Sequence, residues 1–227
     1  MTPAVAGVDG WSGGWVAVLA TGASSTIAVA ETFGEMMAAT ADCAAVGVDM
    51  PMWLPEAGIR DGDEQLRATL LTGRTSTLFW TPTRAVLDHL DSHGDAVIAN
   101  KAAGGKGPSA QGFALMKKVV EVRSLVRSER PRRHFEVHPE SSFSAMNGDA
   151  ALVSKRSAAG VGRRLELLAN EFPDVLERLA EAPDKVPVDD VLDAYAAAWT
   201  ARRIATKRCR WFGPETEDDG FFCAVAV

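Results

Sequence analysis

Six carboxylates in this chain fall where apolar sequence surrounds them. Asp9 follows the apolar run in "AVAGVDGWSGGWVAVLA", Asp49 that in "AAVGVDMPMWLP", and Glu136 lies in "RRHFEVHPESSF". Asp189, Asp190 and Asp193 open "VDDVLDAYAAAWTARRIA". A carboxylate in such surroundings must be paired, hydrogen-bonded or bound to a cation. Several brought together repel one another, and a divalent ion removes that cost; oxygen ligands suit Mg²⁺ or Mn²⁺. Ordinary roles account for most of them singly. Asp9-Gly10 is a good turn dipeptide, Asp49 can bond backbone beyond its strand, and Glu136 can face solvent from an edge. Asp189 and Asp190 suit the first turn of a helix. Asp193 fits its ordinary role least, because it lies past the capping turn and precedes Ala194, Tyr195, Ala196, Ala197, Ala198 and Trp199. Spaced three apart, Asp190 and Asp193 face one point beside the helix.

Other chemistries are written less well. Gly10-Trp11-Ser12-Gly13-Gly14 matches the G-x-S-x-G of a serine hydrolase, but that motif needs a strand, a sharp turn and then a helix. Here "GWVAVLA" follows with strand composition, which leaves Ser12 in a hairpin. Around "NKAAGGKGPS" a phosphate-binding loop fails at Asn100 and Gly107, although Lys101 and Lys106 remain within reach of a phosphate. There is no H-E-x-x-H and no paired C-x-x-C.

The elements that must position the acids can be read from periodicity. Residues 4–9 and 14–20 predict a hairpin, Thr26–Ala30 a third strand, "FGEMMAATAD" a short helix, and the run to Asp49 a fourth strand that stops before Pro51. A mainly helical insertion is expected over about 57–130. It includes a helix from Thr81-Pro82 and a longer one capped by Ser109, "SAQGFALMKKVVEVRSLVRSE". "RRHFEVHPESSF" alternates Phe135 and Val137 against Glu136 and His138 like a strand. "GVGRRLELLANEF", "PDVLERLAEA" and an alanine-rich final helix complete the pattern. The whole is an α/β chain, 1–227 read as one domain.

Bulk properties narrow the setting. The 227 residues can bury a substantial core. No apolar run reaches the length of a membrane span, and the N-terminus lacks the pattern of a signal peptide. Cys43, Cys209 and Cys223 form no framework, so a reduced cytoplasmic protein with no membrane partner is expected. The net charge of -6 argues against a general nucleic-acid coat, yet its distribution is uneven. Residues 1–100 hold 4 basic and 12 acidic side chains, whereas 101–227 hold 20 and 18. Nine Lys/Arg fall within 101–133, among them Lys101, Lys106, Lys117, Arg132 and Arg133. Such a run is either a solvated helix face or a surface for phosphate backbones.

Taken together, "GVDGWSGGWVAV", "VGVDMPMWLPE", "RTSTLFWTPTR", "EVHPESSFSAMNG" and "DDVLDAYAAAWTARRIA" resemble the domain-of-unknown-function family described as predicted RNase H-like nucleases. The closing "DDVLDAYAAAW" is also similar to the last acidic motif of Holliday-junction resolvases. The resemblance implies an RNase H-like fold, a mixed central sheet flanked by helices. It implies metal ligands at Asp9, Asp49 and Asp190 or Asp193, with Glu136 as a further catalytic acid and His138 beside it at the substrate. The implied activity is metal-dependent phosphodiester hydrolysis with two Mg²⁺ or Mn²⁺ ions. DNA or RNA would lie along the basic run, and Trp11, Trp53 and Trp80 either stack on bases or fill core and rim. Two alternatives stay open: phosphoryl transfer or ATP binding of the actin-like and sugar-kinase kind, and a non-catalytic nucleic-acid-binding or adaptor module of the same fold.

Overall fold

The computed structural model describes residues 2–70, 73 and 75–227. Strands β1 (Val5–Trp11), β2 (Gly14–Thr21) and β3 (Ser24–Ala30) form an antiparallel meander, followed by helix α1 (Phe33–Ala39). Strand β4 (Ala45–Val48) then pairs parallel to β1, and β5 (His134–Glu136) parallel to β4. The result is a mixed five-stranded sheet of order β3-β2-β1-β4-β5. Asp9 does not end its strand, as the sequence had suggested. It pairs with Val16, and β1 runs on until Trp11 meets Gly14. The parallel ladder does stop one residue earlier, at Val8–Val48. Asp9 therefore projects where one neighbouring strand has ended and the other still holds its backbone straight.

Alternation along the strands sorts the side chains. Ala6, Val8, Val46 and Val48 join one core with Phe33 and Met36 of α1. Val5, Ala45 and Phe135 belong to the other, against helix α9 (Val188–Ala205). In α9 every residue from Val191 to Ala201 is buried. The helix reaches the sheet closely because the strands present glycine to it. A Cβ at Gly7 would lie 2.0 Å from the Ala198 nitrogen, and one at Gly47 would lie 2.6 Å from the Ala197 oxygen. The alanines of α9 and these two glycines are one adaptation: backbone lies nearly on backbone, which rules out larger side chains. By the same alternation Asp9 and Asp49 point to the α9 face.

Between β4 and β5 the described chain is helical, with α2 (Asp61–Thr69), α3 (His93–Ala102), α4 (Ala110–Ala114) and α5 (Met116–Val126). Ser109 caps α4 as its position suggests, its hydroxyl accepting from Gly112 N–H at 3.1 Å. The long helix expected from Ser109 is instead two, meeting at Leu115. The helix expected from Thr81-Pro82 is a 3-10 segment, Arg84–His89, because Thr81 and Thr83 are tied to Asp63 and Asn100. Strand β5 is shorter than its alternation suggested, since Pro139 already begins α6 (Pro139–Met146). Helices α7 (Ala158–Glu171) and α8 (Val175–Glu181) precede α9. After it come four two-residue strands, β6 (Trp211–Phe212), β7 (Glu217–Asp218), β8 (Phe221–Phe222) and β9 (Val225–Ala226), none of which the sequence reading anticipated. No helix among the described residues is long and apolar enough to cross a membrane.

Candidate metal centre

Three elements converge on one point. Asp9 from β1, Asp49 just after β4 and Asp193 from α9 each offer a carboxylate oxygen, and the three oxygens lie within 4.8 Å of one another. Asp9 is 7% exposed and Asp193 is 3% exposed, with Asp49 half-buried between them. Each backbone is fixed. Asp49 N–H donates to the Val8 carbonyl at 2.9 Å, continuing the parallel ladder by one bond, and Asp9 Oδ1 accepts its neighbour Gly10 N–H at 2.6 Å. Asp193 Oδ2 accepts from the Lys155 ammonium at 2.5 Å. Its other oxygen, Oδ1, is buried and has no hydrogen-bond partner. Asp190, one turn earlier, is half-buried and lines the same cavity, and Asp189 lies 3.7 Å from Lys155. No side chain caps α9, so these two aspartates are first-turn residues but not its cap.

Burial and mutual repulsion show in the acid strengths. Burial holds Asp9 and Asp49 well above the ordinary carboxylate range, and the charges of the neighbouring aspartates add to it. Burial also pushes Asp190 up to about 6, helped by Asp189 and Asp193. Asp193 is raised too, by burial first, with Lys155 opposing. Such an all-oxygen cluster matches what a hard divalent cation requires, and the unpartnered Asp193 oxygen is the group a cation would satisfy.

Glu136 lines the same cavity as these acids, and its charge helps to hold Asp49 up, but its carboxylate is already taken by an arginine. Glu136 pairs in register with Val48, whose side chain lies on the face away from α9. There its carboxylate takes Arg60 at 2.5 and 2.9 Å and Met52 N–H at 2.9 Å. Arg60 also bonds Asp63 at 2.6 Å, so one buried guanidinium joins two buried acids. His138 sits at the start of α6 with Nδ1 2.7 Å from Ser141 Oγ, and burial lowers its imidazole to about 4, which leaves it neutral near pH 7.

The acids open into a cavity of about 640 Å³, bounded by Thr77, Phe79 and Gln111 on the inserted side and by Lys155 and Arg156 on the other. His138 lines it; Lys101, Lys106, Lys117, Arg132 and Arg133 do not. Much of the basic run is matched internally. Arg123 and Arg127 pair with Asp219, Arg130 and Arg132 with Glu217, and Arg133 with Glu129. Lys106 lies 5.2 Å from the Trp80 ring, Trp53 donates to Asp218, and Trp11 is buried in the core. Lys101 and Lys117 remain exposed.

Sequence reasoning missed Lys155 and Arg60. Lys155 lies in "ALVSKRSAAG", where nothing distinguishes it from a surface lysine. Arg60 precedes "DGDE" and reads as part of a solvated helix start. No curated protein and no solved structure matches the chain. The family described as a protein of unknown function (DUF429) matches residues 7–218, nearly the full length. The chain belongs to that family, DUF429.

Proposed function

We propose that this protein is a divalent-metal-dependent hydrolase of phosphodiester bonds, built on an RNase H-like frame. The observation that carries the reading is the buried triad Asp9, Asp49 and Asp193, with one Asp193 oxygen left without a partner. The element order β-β-β-α-β, with acids on β1, after β4 and on the last long helix, supports the lineage. Asp9, Asp49 and Asp193 would hold Mg²⁺ or Mn²⁺, with Asp190 within reach. A divalent ion supplies Lewis acidity there, making a water nucleophilic at neutral pH and stabilising charge on the departing oxygen. The protein's own part is to fix three carboxylates on a rigid sheet and helix and to enclose the substrate phosphate.

The cavity volume lies within the range of small-ligand sites, ~300–1,000 Å³. An enclosure of that size favours a nucleotide-sized or single-stranded segment over the flank of a duplex. The internal pairing of the arginines in 101–133 points the same way, because it leaves the lysines of that run and not its arginines free for a long backbone. Nothing favours the phosphate-cradling hairpin of the actin-like proteins. The tip at Gly13 is filled by the Trp11 indole, 2.6 Å from where a Cβ would stand. A non-catalytic adaptor would have no use for an unpartnered buried carboxylate oxygen.

An anomalous-scattering map from crystals soaked in Mn²⁺, with Asp9→Asn as control, tests this directly. A peak among Asp9, Asp49 and Asp193 that vanishes in the variant is expected, together with Mn²⁺-dependent cleavage of short single-stranded DNA or RNA. A blank map at saturating Mn²⁺ sinks the reading.

A further inference from the structure

We propose that Lys155 is a built-in second cation of this centre, so that the three acids take one divalent ion and not two. The inference rests on the metal-site reading and specifies it. Lys155 Nζ lies 2.5 Å from Asp193 Oδ2 and 3.7 Å from Asp189 Oδ2, on the side of Asp193 opposite its unpartnered Oδ1. Asp193 thus has one oxygen committed to an ammonium and one free for an ion. The charges agree with that division. With the Lys155 ammonium against Asp193, the two charges left on Asp9 and Asp49 match one divalent ion, while Asp189 and Asp190 stand nearer solvent on the first turn of α9.

Lys155 is no loose surface lysine. Its side chain is 33% exposed, and the backbone on either side is fastened. Arg164, fully buried, donates to the Val153 carbonyl at 3.0 Å while its other end is held by Glu140 at 2.7 Å. Ser157 N–H and Oγ donate to the Ser154 carbonyl at 3.0 and 2.8 Å. Gly160 lets α7 close over this segment, since a Cβ there would fall 2.0 Å from the Ser154 oxygen. The loop is therefore built to deliver an ammonium to Asp193. An ammonium has three donors, and Lys155 lines the cavity, so it can serve a phosphate oxygen there while it neutralises Asp193.

The test is the Mn²⁺ stoichiometry of the full-length protein, by calorimetric titration and by counting anomalous peaks. Lys155→Met, Lys155→Arg and Asp9→Asn are compared with the wild type, and circular dichroism checks that each is folded. One ion is expected in the wild type, two in Lys155→Met, and one again in Lys155→Arg. Two ions in the wild type overturn the role of Lys155 and leave the metal site standing. A single ion in Lys155→Met, however tightly bound, also overturns it, because the lysine is then only a competitor or a loop anchor. No ion in the wild type overturns the metal site itself, and this inference with it.

Discussion

If Asp9 is there for a cation, the metal-free protein must be strained by it, and removing the charge must stabilise the fold. At 4.8 Å, the widest separation within the triad, two carboxylates repel by ~3.5 kcal/mol at an effective dielectric of about 20. Asp9 faces two such neighbours, but Lys155, residual water and partial protonation reduce the total. We expect Asp9→Asn to gain about 2 kcal/mol, a Tm rise of roughly 4–8 °C for a chain of this size. Asparagine keeps an Oδ1 to accept Gly10 N–H, so no hydrogen bond need be lost.

The pH dependence fixes the cause. The folded pKa of Asp9 lies above its unfolded value, so folding favours the protonated form. The penalty is absent below the unfolded value, about pH 4, grows as pH rises towards the folded pKa, and is complete above it. The advantage of Asp9→Asn should therefore vanish near pH 4 and be greatest near pH 8. Mn²⁺ should reverse the ranking. At a hundred times its Kd it adds ~2.7 kcal/mol to the wild type, about 5–11 °C, and little to the variant. Differential scanning fluorimetry of EDTA-treated protein at pH 4 and pH 8, with and without Mn²⁺, reads all of this. An Asp9→Asn protein less stable than the wild type at both pH values without metal would refute the reasoning, because Asp9 would then be a structural acceptor.

Three further outcomes follow from the placement of these residues. Arg60→Met should cost about 3–5 kcal/mol in urea denaturation by stranding Asp63 and Glu136 in the interior. Glu136→Gln should leave Mn²⁺ affinity within a few-fold of wild type, while Asp193→Asn abolishes it; equal losses would mean that Glu136 reaches the ion. Gly7→Ala should destabilise by about 3 kcal/mol or more, because its Cβ meets backbone of α9 that cannot yield. Gly22→Ala makes a control for loss of glycine itself, as its Cβ would meet nothing within 4 Å and only the φ of +61° is strained.

What the sequence disclosed depends on how local the cause was. The first four strands and α9 were legible because alternation and helical spacing are local patterns. Asp193 was legible as an anomaly, an acid past the capping turn in an otherwise apolar helix. Glu136 was legible as a candidate and lines the cavity, but the face from which it does so was not. Its face depends on register with β4, and a shift of one residue turns every side chain over. The internal pairing of the arginines in the basic run was equally hidden. The partners Glu217 and Asp219 lie between 85 and 96 residues downstream of the arginines they neutralise, one in a strand too short to show a period and the other in the turn after it. Lys155 had no signal because its role comes from where Arg164 and Gly160 hold its loop.

The placement of the acids and the stability of the fold share one cause. Gly7 and Gly47 bring α9 onto β1 and β4, and the same approach forces Asp193 towards Asp9 and Asp49. A larger residue at either glycine would ease the repulsion by lifting the helix, at the expense of the contact that secures the core. The fold thus cannot relax its acids without loosening its own centre. A cation bound by β1, β4 and α9 together would be the one change that relieves the charge and tightens the contact at once. That coupling is why metal response, more than any assay of activity, is the property that should distinguish this centre from a chance gathering of acids.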